Sequence, residues 1–179
     1  MKRKSAIYGL MAEFETPEKV LQAALRTHAA GYRKIDAYSP FPVEGLAEAI
    51  GFDWTSLPFL VFFGGLLGGS TGFSMCYYAN VISFPLIIGG KPYNSWPQWI
   101  PITFELTILG AALTAVIGML AMNGLPMPYH PTFNVSRFAL ASTDRFFLCI
   151  EARDKNFDLA QTRAFLEEMK PNGVYEIEA

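Results

Sequence analysis

The chain has 179 residues, 51% of them hydrophobic, and 30 charged side chains that sum to a net charge of −2. That length fits about one domain, and the dispersed, balanced charges exclude the basic footprint of a nucleic-acid-binding protein. Fourteen of the charged residues lie in 1–53 and fourteen in 137–179, leaving only Lys91 and Glu105 in 54–136. So charge-poor a stretch is no solvated linker, and the sequence reads as a membrane insert between two polar ends.

The first end, residues 1–53, reads as strand, helix, strand. Ala6–Ala12 has the composition of a mostly buried strand. Thr16-Pro17 supplies an N-cap followed by a first-turn proline. Val20, Leu21, Ala24, Leu25 and His28 then recur at helical spacing on one face, which makes His28 a core residue rather than a ligand. Gly31 is placed to end the helix in a left-handed conformation. Tyr32–Tyr38 reads as a second strand broken by Pro40 and Pro42, and Val43–Ile50 as a short helix.

The insert, 54–136, contains two stretches long enough to cross a hydrocarbon core of about 30 Å, which takes about 20 apolar residues. They give helices at about 57–80 and 102–122, joined by a loop over 81–101. The first carries Gly64, Gly68 and Gly72 in one stripe, flanked by Gly65 and Gly69; the second carries Gly110, Thr114 and Gly118. Small-residue stripes let helix backbones approach closely in lipid. They serve the packing of the two helices on each other, docking of the first stripe against another subunit, or both, since Gly65 and Gly69 leave a broad groove. Tyr93, Trp96 and Trp99 in the loop suit the aromatic belt at the membrane interface.

Glu105 is the single ionisable group inside a span. One turn beyond Pro101, it either caps the helix and reaches the interface, or serves proton movement or subunit contact. Lys2, Arg3, Lys4, Arg26, Arg33 and Lys34 precede the spans and Arg137 and Arg145 follow them, whereas the loop offers Lys91 alone. The positive-inside rule therefore puts both termini in the cytoplasm. His130, just after the second span, is read as structural or as a proton-exchange group at the inner surface.

The second end, 137–179, repeats strand, helix, strand: Arg145–Ala152, a helix capped by Asp158 with Leu159, Thr162, Phe165, Leu166 and Met169 on one face, and Val174–Ile177. The expected fold is therefore α+β, a ferredoxin-like βαββαβ domain assembled from both termini. A two-helix transmembrane hairpin is inserted between its second and third strands. A thiolate metal carrier of that shape would need a cysteine pair in a loop. Cys76 falls inside a span and Cys149 in mid-strand, so both read as packed hydrophobes. No nucleophile–base pair, phosphate loop or metal-ligand cluster is recognisable, so the expected catalytic, cofactor and metal sites on this chain are none.

The loop Ile88-Gly89-Gly90-Lys91-Pro92-Tyr93-Asn94-Ser95-Trp96-Pro97, continuing to Glu105, resembles the small two-helix membrane subunit of bacterial alternative complex III. The stretches Leu125–Asn134, Asp144–Leu148 and Tyr8–Phe14 are similar to the same family. The resemblance implies a non-catalytic accessory subunit in the bacterial inner membrane, part of a complex that oxidises quinol and reduces a cytochrome or an oxidase. It also implies haem c and iron–sulfur clusters on partner subunits, quinol on multi-helix partners, and a terminal oxidase as a further partner. The alternative is a self-assembling two-helix glycine-zipper protein, a pore or scaffold.

Overall fold

A computed structural model describes residues 7–52 and 54–179. Lys2, Arg3 and Lys4 of the charge argument, and Ala6 of the first strand, lie outside the described residues. In chain order the elements are β1 (Ile7–Phe14), α1 (Pro17–Ala29), β2 (Ile35–Tyr38), α2 (Leu46–Ala49), α3 (Leu57–Tyr77), α4 (Ile100–Met122), β3 (Phe146–Glu151), α5 (Leu159–Glu168) and β4 (Gly173–Glu178). They form two compact units, one from residues 7–52 and 128–179 and the other from 54–127.

The first unit is a four-stranded sheet in the order β2-β3-β1-β4, with every neighbouring pair antiparallel. Because successive residues of a strand point to opposite faces, the central strands bury both of theirs. Leu10, Ala12, Phe14, Leu148 and Ile150 meet Val20, Ala23 and Ala24 of α1 and Leu166 of α5. Met11, Phe147, Cys149 and Ile177 meet Val135, which joins 3₁₀ turns at Pro131–Asn134 and Ser136–Ser142, and Phe138 and Ala141 of the second turn.

The helix ends follow local chemistry. Thr16 accepts a hydrogen bond from the Lys19 amide, and Gly31 takes φ +95° directly after the C-cap Ala30 of α1. Asp158 accepts from the Ala160 and Gln161 amides to start α5. Besides β2, which starts at Ile35 and not at Tyr32, two details depart from the sequence expectations. On α1 the buried residues are Val20, Ala23, Ala24 and Thr27, while Leu25 is 54% exposed. The pattern of large residues tilts off the true contact face because small Ala23 and Thr27 fit closest to the sheet.

The second departure is the border of the insert, expected at 136 from lack of charge. The second unit ends at Met127. Thr132 and Val135, at the end of the charge-free stretch, are buried in the first unit together with Phe138, where they cover the sheet.

The second unit is the helix pair α3 and α4 with their connection. A π-helical turn at Tyr78–Ser83 extends α3, and a 3₁₀ turn at Trp96–Trp99 leads into α4. Together these give two apolar helical segments, Leu57–Ser83 and Trp96–Met122, each long enough to cross a membrane.

Candidate functional site

In the helix pair, the stripe expected on α3 faces α4. A methyl group placed on Gly68 would overlap the Leu106 carbonyl, and one on Gly64 would overlap the Thr114 side chain. A methyl on Gly110 would lie 2.5 Å from the Gly64 carbonyl oxygen, and one on Gly72 3.2 Å from Thr103 Cα. The flanking pair is used as well, with Gly65 set against Ala111 and Gly69 against Thr107. Gly118 meets Leu57. The groove that the sequence left open to another subunit is therefore filled by α4 of the same chain.

Three threonines line this contact from α4. Thr107 Oγ1 donates to the Thr103 carbonyl and Thr114 Oγ1 to the Gly110 carbonyl, each at 2.7 Å, so neither hydroxyl is left unsatisfied in lipid. The sequence marks Thr114 alone by its place in the stripe; the 103-107-110-114 spacing defines the whole face.

At the loop end of the pair, Trp99 is only 4% exposed, its ring edge-on to Phe73 at 5.4 Å and to Tyr77 at 6.2 Å. Trp99 is thus a packing residue, whereas Trp96 and Tyr93 are 54% and 44% exposed as belt residues would be. Glu105 is exposed in the first turns of α4, whose N-cap residue Trp99 makes no side-chain capping hydrogen bond.

In the sheet unit, polar chemistry gathers on the face opposite α1. Between Ile7 and Gly9 the register of β1 with β4 shifts, a bulge of the kind that re-aims a side chain. Gly9 is required there, since a methyl group would overlap the Ile150 carbonyl. The Tyr8 hydroxyl consequently reaches Glu151 Oε1 at 3.4 Å and His130 Nε2 at 3.3 Å. His130 Nδ1 accepts from the Thr132 amide and lies 2.8 Å from the Thr132 hydroxyl. The Tyr8 hydroxyl, which donates to Glu151, thus links the imidazole to the buried acid.

Glu151, 3% exposed, is also forked by Arg153 and has the half-buried Asp36 carboxyl as a neighbour. Burial raises the Asp36 pKa, and the neighbouring Glu151 charge raises it further. Burial likewise raises those of Tyr8, Tyr38 and Cys149, so the fully buried Cys149 stays a thiol.

A cleft of about 560 Å³ adjoins this network, lined by Tyr38, Ser39, His130, Thr132, Phe133 and Phe138 among others. Phe138 stands edge-on to Tyr38 at 4.9 Å and to Phe147 at 5.7 Å, which pins the covering turns to the sheet.

On the same face, Glu13 has no solvent exposure and is held by Arg137 at 2.6 and 3.1 Å and by the Tyr175 hydroxyl at 3.0 Å. The Arg137 hydrogen bond holds its carboxyl below the usual range, against burial that acts to raise it. Arg137 and Arg145, counted in the sequence as topology-setting positives, are thus partners of a buried acid. Tyr8, Glu13, Asp36 and Glu151 carry no mark in the sequence that singles them out. Their signal is a polar or charged group at inward positions of strands, visible only once the strands' faces are assigned.

Among the described residues no group of three or more His, Cys, Asp or Glu side chains is disposed to hold a metal ion. What the arrangement does is satisfy buried charges with hydrogen bonds, which fixes the covering turns on the sheet.

A family model described as alternative complex III, ActD subunit, matches residues 8–176, across both units. The chain belongs to this family. Comparison with curated proteins found no match. Membership in the ActD family makes the chain a subunit of alternative complex III, a respiratory-chain assembly, and the two apolar helices agree with a membrane location. The family match spans the buried-acid network as well as the helix pair.

Proposed function

We propose that this chain is a non-catalytic accessory subunit that anchors and stabilises the cofactor-bearing and quinol-binding subunits of the complex. The observation that carries the proposal is the outward surface of the helix pair. With its glycines and threonines turned inward, it exposes large apolar groups such as Phe62, Phe63, Leu67, Leu109 and Ile117 to lipid and neighbours. The sheet order β2-β3-β1-β4, with helices following β1 and β3, supports a ferredoxin-like domain split by the hairpin. In this proposal that domain and both termini are cytoplasmic, at the bacterial inner membrane. Haem c, iron–sulfur clusters and quinol reside on partner subunits, with cytochrome or a terminal oxidase as acceptor.

The self-assembling zipper has less support, because the stripe it needs for contacts between copies is already filled by α4.

Removal of the chain tests the accessory role. In membranes lacking it, the intact quinol-oxidising particle is expected to be lost, while quinol turnover per haem in whatever still assembles is unchanged. A fully assembled particle with no turnover would place a catalytic group on this chain and overturn the proposal.

A further inference from the structure

We propose that the face of α4 turned away from α3 docks a transmembrane helix of a different subunit, which presents an arginine or lysine to Glu105. The proposal rests on the chain being a subunit of a membrane complex. On α4, the residues against α3 are Thr103, Leu106, Thr107, Gly110, Ala111 and Thr114. At 3.6 residues per turn, Glu105 falls on the diametrically opposite side, together with Ile108, Leu109, Ala112 and Val116. All five are exposed.

Among the described residues Glu105 takes part in no ion pair. Its Cα lies about 9 Å along the helix axis from Trp99, six residues at about 1.5 Å each. An ionisable side chain within an apolar span normally faces a bundle interior and pairs there. Here the only other helix of the unit lies on the wrong side, so the counter-charge comes from outside the chain.

A second copy is the wrong occupant. Two-fold self-docking brings the same patch onto itself, and the carboxylate would meet its own copy in a low-dielectric setting. A basic partner helix matches the charge, and Ala112, two turns further along the face, leaves room for close approach.

The test is photo-crosslinking in the intact, detergent-solubilised complex, with benzoylphenylalanine placed singly at Ile108, Ala112 or Val116. The expected product joins this chain to an apolar segment of another subunit that carries Arg or Lys. Glu105→Lys is expected to lower that adduct by about tenfold, as a like-charge pair in lipid would, and Glu105→Gln by less. Replacing the partner's basic residue by Glu restores the adduct in the Glu105→Lys chain. Adducts only to lipid, or only to a second copy, overturn this proposal while co-purification with other subunits leaves the accessory reading standing. If the chain co-purifies with no other subunit, both fail.

Discussion

Gly68→Leu is expected to separate α3 from α4 and to lower the stability of the helix pair by more than about 3 kcal/mol, above the ordinary range for overpacking a core. The reason is what the new side chain meets. At Gly68 even a methyl group overlaps the Leu106 backbone carbonyl, and a backbone cannot swing aside as a flexible side chain can. The helices must move apart along their length, which removes the Gly64–Gly110 approach and uncovers the threonines as well.

The chain itself provides a reporter. Trp99 packs against Phe73 and Tyr77, so its emission follows opening of the pair once Trp54 and Trp96 are replaced by Phe. Thermal scans in mild detergent are expected to show early loss of the Trp99 signal in Gly68→Leu. Leu67→Ala, at a neighbouring position that is 71% exposed, is expected to leave it unchanged. Equal unfolding temperatures for Gly68→Leu and the parent chain would refute the packing described for this stripe.

The second large effect is a pair of substitutions with opposite signs. Glu13→Gln is expected to destabilise the sheet unit at neutral pH by about 1–2 kcal/mol, the worth of charge-assisted hydrogen bonds. The figure is discounted because the Arg137 side chain is 48% exposed and screened. Asp36→Asn is expected to stabilise the same unit, since an amide removes a desolvated second charge from beside Glu151.

The pH dependences also oppose each other. Glu13 is held below its ordinary value, so its contribution is complete above the unfolded pKa, about 4.3. That contribution is lost as pH falls through the folded value. Asp36 is held above its ordinary value of about 3.9. Its penalty is therefore absent in acid and grows as pH rises through the folded value, so the gain from Asp36→Asn disappears on acidification. Hydrogen exchange of the β1 and β3 amides in the full chain, measured from neutral to acid pH, reads both. Faster exchange in Asp36→Asn than in the parent at neutral pH would show that Asp36 is a stabilising carboxylate.

Much of this was legible in the sequence where a single physical demand fixed a pattern. Two apolar stretches sharing one ionisable group could be little other than a helix pair in lipid, and Thr16, Gly31 and Asp158 announced helix ends through local hydrogen bonding and φ. The two sheet-packed helices followed from periodicity, and the four strands from short apolar runs beside them. The buried acids did not, because Glu13 and Glu151 look like surface charges until the pleat assigns them inward and Arg137 arrives from far along the chain. Nor did the role of 128–142. Residues 128–136 lack charge because they cover a sheet, and by charge alone such a cover is indistinguishable from a flank of the membrane insert. The glycine stripe was visible, but which surface fills it depends on the partner helix and not on the stripe itself.

Purification through an affinity tag on this chain, in a detergent mild enough to keep membrane complexes whole, tests the central claim most directly. The account predicts one particle in which the chain co-elutes with subunits carrying c-type haem absorbance and with quinol-oxidising activity. Recovery of the chain as a homo-oligomer, without haem and without that activity, would contradict it.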